Sequence, residues 1–422
     1  MTKEISTNDL IIADGQYYSM DCYETQLNNN VLVVGAAGTG KTRSIVSPNI
    51  LQATGSYVIT DPKGQLHKKY GKYLKEKGYR VRVLDLVHPK ESDCYNPFVY
   101  IKSTQDIVKL AHMMMDCSMR QNVTRSMDPF WEESSEVLLT ALIGYLWLHR
   151  PKHEQVLKNV FKLINACEVM EDCADRNNAL DRIFEEVEKR YKDDFAVAQY
   201  KKFRQGASRT LRSIMITVTS RLGHYDFPEF NEMTCKDTLD LASVGKEKTA
   251  IFVIISDKDR AMDGFANIFY SQAMDEICRV ADDEYEDGKL PVSVRFILDD
   301  FATNCKITDF PRMISSIRSR GISTMLMLQC EAQLEHCYGA DGRTIIANSD
   351  TYVYLGGNDL DTASSIATRC DVPIGRILYM PVGTNWIFRR GQKPVNGKNF
   401  CLQEFEKKKM ASKRQKTMER IA

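Results

Sequence analysis

The chain has 422 residues, 43% of them hydrophobic and 27% charged, with a formal net charge of +1. That length and apolar content suffice for a sizeable core and for two domains. The near-zero net charge excludes a protein-wide basic surface, so any nucleic-acid contact must be local.

The opening stretch "MTKEISTNDL" holds no long apolar run, so no secretory signal is expected there. Short apolar or β-branched runs then recur: 31–35, 57–60, 81–85, 250–255, 294–300, 323–328, 351–356 and 385–388. Most are continuous rather than alternating, as strands buried on both faces are. Helix-like segments separate several of them. This rhythm predicts an α/β fold, a mainly parallel sheet with helices on both faces.

The first run opens "VVGAAGTGKTRS", residues 33–44, which contains Gly-x-x-x-x-Gly-Lys-Thr. This is a phosphate-binding loop. Gly35, Gly38 and Gly40 permit positive φ and close approach of backbone, and with Ala36, Ala37 and Thr39 they let amides point at a phosphate. Lys41 reaches the β- and γ-phosphates, and the Thr42 hydroxyl binds Mg²⁺. A helix follows to Leu51, and its positive end adds to the site. Pro48 falls inside that helix and is expected to kink it.

From about 104 to 232 the pattern is helical, with few strand candidates. "DPFWEESSEVLLTALIGYLWLHR" starts with Asp128 as N-cap and Pro129 at the first helical position. Its apolar core, Val137 to Leu148, is short of the roughly 20 residues of a membrane span and reads as a buried helix. "NALDRIFEEVEKRYKDDF" and "RTLRSIMITVTSRL" also read as helices. Of the twelve cysteines, Cys167 and Cys173 lie closest together, with no histidine cluster beside them. A zinc site is not expected, and reduced thiols are.

The run "VRFILDDF" ends in Asp299 and Asp300, at the strand edge where ligands sit in open α/β sheets. Asp299 is expected to hold Mg²⁺ through water and Asp300 to orient the attacking water. The competing reading is a strand ending in a turn, which Asp-Asp also suits. Next, "SSIRSRGIS" places Arg318 and Arg320 on a helix end. Gln329 ends the following strand, where it can sense a γ-phosphate. An arginine that cannot reach its own nucleotide can reach a neighbouring subunit's; the alternative is a solvated helix end. The last stretch, Lys407 to Arg420, is a run of basic residues read as a frayed helix or disordered tail.

Together these motifs resemble the coupling proteins of conjugative type IV secretion, the TraG/TraD-like DNA-pumping ATPases. The stretches that carry the resemblance are "GAAGTGKTRSIVSPNIL", "GSYVITDPKGQL", "YRVRVLDL" with "YNPF", "DPFWEESSEVLLTALIGYL", "RFILDDFATNCKITDFPRMISSIRSRGIS", "LQCEAQLE" and "IIANSDTYVYLGGND". They cover most of 31–360. "DPKG", "YNP" and "SRGIS" are the specific ones, since the phosphate loop is shared by many proteins. The resemblance implies a RecA-like P-loop NTPase with an inserted all-helical domain. Its parts are a nucleotide-binding domain over 1–103 and 233–400, a helical domain over 104–232 and a basic tail over 401–422. It implies ATP and Mg²⁺ as cofactors and a homo-hexamer around DNA. The implied partners are relaxase-bound single-stranded DNA, the type IV secretion channel and a separate membrane anchor. It places the chain at the inner face of the plasma membrane. Lys41, Thr42, Asp299 and Gln329 carry over as nucleotide-site residues, and Arg318 as the arginine finger. Asp61 and Lys63 match "DPKG", either as a tight turn entering a helix or as phosphate contacts.

The chain also departs from the family pattern. Asp300 stands where Glu is usual, "FATNCKI" replaces a "FANLGKI"-like segment, Gln65 replaces a common acid, and the N-terminal membrane helices are not in this sequence. A carboxylate one methylene shorter sits further from the water, and misplacement by about 1 Å can cost roughly a hundredfold in rate. Slow hydrolysis, and hence a docking protein that recruits without pumping, is therefore a second reading. A ring ATPase on duplex DNA is a third, opposed by the "DPFW" block.

Overall fold

The computed structural model describes residues 5–117, 129–166, 178–301, 306–407 and 409. Asp128, Cys167, Cys173, residues 302–305 of "FATNCKI" and the tail beyond Lys409 lie outside them.

Eleven strands form among the described residues: β1 (Asp9–Ala13), β2 (Gln16–Ser19), β3 (Val31–Val34), β4 (Ser56–Pro62), β5 (Arg80–Asp85), β6 (Thr249–Ile255), β7 (Val294–Leu298), β8 (Ile322–Leu328), β9 (Thr351–Tyr354), β10 (Thr384–Arg389) and β11 (Val395–Lys398). Nine make one sheet in the order β11-β10-β9-β3-β8-β7-β4-β6-β5. The pairs β9–β3, β3–β8, β8–β7 and β7–β4 are parallel, and β10 is antiparallel to both β9 and β11. The strands β3, β6, β7, β8 and β9 are buried at every residue. That is why they read as continuous apolar runs. Their registers bring Val34 level with both Leu328 and Tyr354, and Leu298 level with Leu326. The loops after β3, β7 and β8 therefore leave one common edge of the sheet.

The chain divides into two units. The first, Met1–Arg82, Leu241–Ile254 and Ile277–Ala422, holds most of the sheet. Val33, Ile297 and Met327 pack in its core with Ile45, Ile50 and Leu66. The hairpin β1–β2 belongs to the same core and was not expected. It turns on Asp14-Gly15, where Gly15 has φ +70°, and all five residues of β1 are buried.

The second unit, Val83–Asp240 and Ile255–Glu276, has only helices as regular elements among its described residues, outside the ends of β5 and β6. In the helix Pro129–His149, Leu138, Leu139, Leu142 and Ile143 are fully buried. No described helix is long and apolar enough to cross a membrane. The helix Ala179–Arg190 starts at a reciprocal cap between Asn178 and Asp181, which satisfies two amides the first turn would leave orphaned. The "YNP" segment is architectural. Asn96 caps the turn Pro97–Tyr100 by accepting from Phe98 N at 3.1 Å, and donates to Gln155 O at 2.9 Å. The buried Tyr95 hydroxyl donates to Gln272 Oε1, and Gln272 donates on to Pro97 O at 3.1 Å.

Candidate functional site

Glycine is required in the phosphate loop for two separate reasons. At Gly35 the reason is space, because a Cβ would stand 2.7 Å from Thr39 Oγ1 and 2.9 Å from Leu355 Cβ. At Gly38 and Gly40 it is backbone, with φ +80° and +91°. Lys41 is buried, and its Nζ donates to Gly35 O at 2.5 Å and to Ala36 O at 3.3 Å. Burial lowers the Lys41 pKa, against the attraction of Asp300 and Asp299. A buried ammonium held by two carbonyls of its own loop is poised to exchange them for anionic oxygens.

The helix is irregular at Pro48: the chain runs from Thr42 to Val46 as a π-turn and continues as an α-helix over Ser47–Gln52, with Pro48 at the junction, where its missing N–H interrupts the ladder. Asn49 repairs the junction: its Nδ2 donates to Ile45 O and to Ile11 O, both at 2.7 Å, and its Oδ1 accepts from Ile11 N at 3.0 Å. This clamp between the helix and β1 was not expected from the sequence, where Asn49 carries no motif.

The second half of the site lies across β8. Thr42 Oγ1 donates to Asp299 Oδ2 at 2.8 Å, and Asp300 N donates to Asp299 Oδ1 at 3.1 Å. The hydroxyl and carboxylate that were read as Mg²⁺ ligands thus meet, although 257 residues separate them. Asp300 has φ +50° and turns out of the strand, a conformation that Asp adopts more readily than Glu. Asp-Asp therefore makes the turn that ends the strand, with the Asp299 carboxylate held against Thr42.

Asp61 is level with Asp299, on the neighbouring strand β4. Both of its oxygens are engaged, accepting from Leu66 N at 3.0 Å and His67 N at 2.8 Å. Lys63 and Gly64 have φ +78° and +67°. "DPKG" is therefore a left-handed turn whose aspartate caps the helix Gln65–Glu76, the simpler of its two readings.

Gln329 is exposed just past β8, and its N–H donates to Gln333 Oε1 at 2.7 Å. Because β8 lies between β3 and β7, Gln329 emerges between the phosphate loop and Asp299. Arg318 and Arg320 were expected on a helix end. The helix is in fact only Phe310–Met313, and a series of turns follows up to β8. Arg320 is committed within the fold: its guanidinium grips Asp282 with two bonds of 2.8 Å. Arg318 is partly exposed, close enough to Cys22 for its charge to act on that thiol, and no ion pair is recorded for it among the described residues. It precedes β8, at the end of the strand away from Gln329. At ~3.3 Å per residue, β8 puts about 23 Å between them.

The donors present fit a phosphate chain with a hard divalent cation. A lysine ammonium and loop amides suit the phosphates, while a hydroxyl and a carboxylate oxygen suit Mg²⁺. Burial raises the Asp299 pKa, the Thr42 bond opposing and Asp300 adding to the rise. The fold thus favours the protonated acid. That stabilisation is complete below the pKa of an unfolded aspartate and is lost as pH rises through the folded value. Asp299→Asn keeps an oxygen for Thr42 and removes the buried charge. It is expected to raise the melting temperature of the nucleotide-free protein at pH 7 and to lose that advantage toward pH 3. It should also abolish Mg²⁺-dependent nucleotide binding. Thermal unfolding across that pH range checks the sign, and a lower melting temperature than the parent at pH 7 would contradict it.

Comparison with known proteins follows the same lines. Residues 2–371 match the family model for type IV secretory system conjugative DNA transfer. Among solved structures, the fold is similar to the bacterial conjugative coupling protein TrwBdeltaN70 in a trigonal form with sulphate. The TM-score is 0.71 at 16% identity, over 94% of this chain and 90% of that one. TrwB in complex with ADP and Mg²⁺ gives 0.67 at 17% identity with the same coverage. VirB4 of Thermoanaerobacter pseudethanolicus gives 0.54 at 12% identity, over 94% of this chain and 98% of that one. These TM-scores establish a shared RecA-like fold. No curated protein sequence matches the chain.

Proposed function

The chain belongs to the type IV secretory system conjugative DNA transfer family, and from that premise we propose that it is an ATP-driven coupling protein. It recruits relaxase-bound single-stranded DNA and delivers it to the secretion channel. The observation that carries the ATPase reading is the 2.8 Å contact of Thr42 with Asp299 beside the lysine-bearing glycine loop. ATP supplies the anhydride bond and Mg²⁺ the charge neutralisation that phosphoryl transfer needs. Lys41 gives up two loop carbonyls to contact phosphate. Thr42 and Asp299 hold the cation. Asp300 orients the attacking water and accepts its proton, with Gln329 beside it. Arg318 serves the site of a neighbouring subunit in a hexamer. The helical segment 104–232 faces the cargo, and the basic tail from 401 gives a nearly neutral chain a local source of positive charge.

The test is ATP turnover by the purified full chain with and without single-stranded DNA. Stimulation that weakens steeply with salt is expected, because lysine and arginine contacts to phosphates release counterions. Turnover indifferent to DNA at every salt concentration would contradict translocation.

Asp300 motivates the second reading, a docking protein with little hydrolysis. Asp300→Asn keeps the left-handed turn and should leave ATP affinity near the parent's while lowering turnover by about a hundredfold. Asp300→Glu brings the carboxylate nearer the water but strains the turn at φ +50°. Its turnover should rise only at some expense of thermal stability. Equal turnover in the parent and Asp300→Asn would remove Asp300 from the mechanism, and a parent that turns over no ATP would favour docking.

A further inference from the structure

On the edge of the sheet that carries the phosphate loop, the two most exposed large apolar side chains among the described residues lie on one segment. It runs from Tyr379 to Gly383, between the short helix Ile374–Leu378 and β10. Tyr379 is 85% exposed and Val382 98%. The backbone beneath them is well held. Tyr379 N donates to Gly375 O at 3.0 Å, Thr384 donates twice to Pro381 O, at 3.2 and 2.6 Å, and Gly383 O accepts from Asn399 N at 2.8 Å. A backbone already fixed in this way adds little loop-ordering cost when something docks on it.

Two links join this segment to the phosphate loop. Gly356 O accepts from Ala36 N at 2.9 Å, and a Cβ on Gly356 would stand 3.5 Å from Met380 Sδ. Asn399, which holds Gly383 through its backbone, also donates Nδ2 to Thr39 O at 3.3 Å. The segment is therefore tied to Ala36 and Thr39 through one intervening residue each, Gly356 and Asn399.

Direction follows from strand order. Asp299 follows β7, on the β8 side of β3, while β9 and β10 lie on the other side. A nucleotide with its last phosphate toward Asp299 must extend its ribose and base toward β9 and β10. Two strand spacings cover about 10 Å, a distance a nucleoside spans. At that distance the antiparallel β10 begins, immediately after the exposed segment.

On the nucleotide reading of the phosphate loop, which this inference requires, we propose that Tyr379 and Val382 are the seat of the nucleotide base, with the tyrosine ring stacked on its face. Stacking engages a π-face that every base has, so the seat binds adenine and guanine alike.

Equilibrium binding of ATP, GTP and tripolyphosphate, each with Mg²⁺, to the full chain and to Tyr379→Ala and Tyr379→Phe tests this. Tyr379→Ala should weaken ATP and GTP by about tenfold or more. Tyr379→Phe should bind them as the parent does, and tripolyphosphate should bind all three proteins equally. Unchanged ATP affinity in Tyr379→Ala overturns the proposal. So does an equal loss for ATP and tripolyphosphate, which would place the effect in the phosphate loop. Altered self-association with intact ATP affinity would instead assign the segment to contact with a second copy of the chain. A parent that binds neither ATP nor tripolyphosphate would overturn the underlying nucleotide reading.

Discussion

Lys41→Ala is expected to abolish ATP turnover and to reduce ATP binding to near background. The Lys41 ammonium is buried and rests on the carbonyls of Gly35 and Ala36. Burial disfavours its charge, so the protein bears a cost to keep a cation there. Anionic oxygens relieve that cost with short, charge-assisted bonds. Loss of one such group from a water-poor site typically slows chemistry by about a hundred- to a thousandfold. Loss of the ground-state contact adds to this. Neither the loop amides nor Thr42 can substitute, since they offer partial charges only. Calorimetric titration with ATP and a phosphate-release assay check both parts. Parent-like turnover would remove the glycine loop from the chemistry.

Arg318→Ala is expected to lower turnover by about a thousandfold, the lower range for an arginine finger, without lowering ATP affinity to the same degree. The reason is position. Arg318 stands before β8 and Gln329 after it, so Arg318 cannot reach the phosphates bound by its own chain. Arg320 is excluded from that task by its two bonds to Asp282. A role for Arg318 must therefore be exercised on another copy. Subunits carrying Arg318→Ala, mixed with subunits carrying Lys41→Ala, should regain part of the activity. A mixed ring contains interfaces with an intact lysine on one side and an intact arginine on the other. Full activity of a strictly monomeric protein, or no recovery on mixing, would refute action in trans.

Much of this arrangement was legible because burial on both faces leaves a plain mark on sequence. All eight runs read as strands are strands, and their ends differ from the structure by only a few residues. Pairing of Thr42 with Asp299 was legible because glycine loop and carboxylate strand are expected on one edge. The hairpin β1–β2 was missed, though Asp-Gly between apolar stretches is a hairpin signal. β11, "VNGK", carries Asn-Gly, which reads as a turn, and is a strand because β10 pairs with it. The π-turn, the left-handed Lys63 and Asp300, and the Asn49 clamp are local answers to tertiary constraints. A single proline or aspartate in a sequence does not announce which answer will be chosen. Arg318 was rightly placed before a strand and wrongly placed on a helix, because the stretch after Met313 closes in successive turns without adopting a regular ladder.

The Asn49 clamp bears on where this chain can be cut. The π-turn makes the helix behind the phosphate loop irregular, and three bonds through the Asn49 side chain tie Ile45 to Ile11. A fragment begun at Val31 would retain every nucleotide motif and lose the splint. Its lysine and threonine would then ride on a helix free to rock, and a loop that must hold reacting atoms to within about 1 Å would have lost its rear support. The first twenty residues, which hold no catalytic signature, set how stiffly the site can grip.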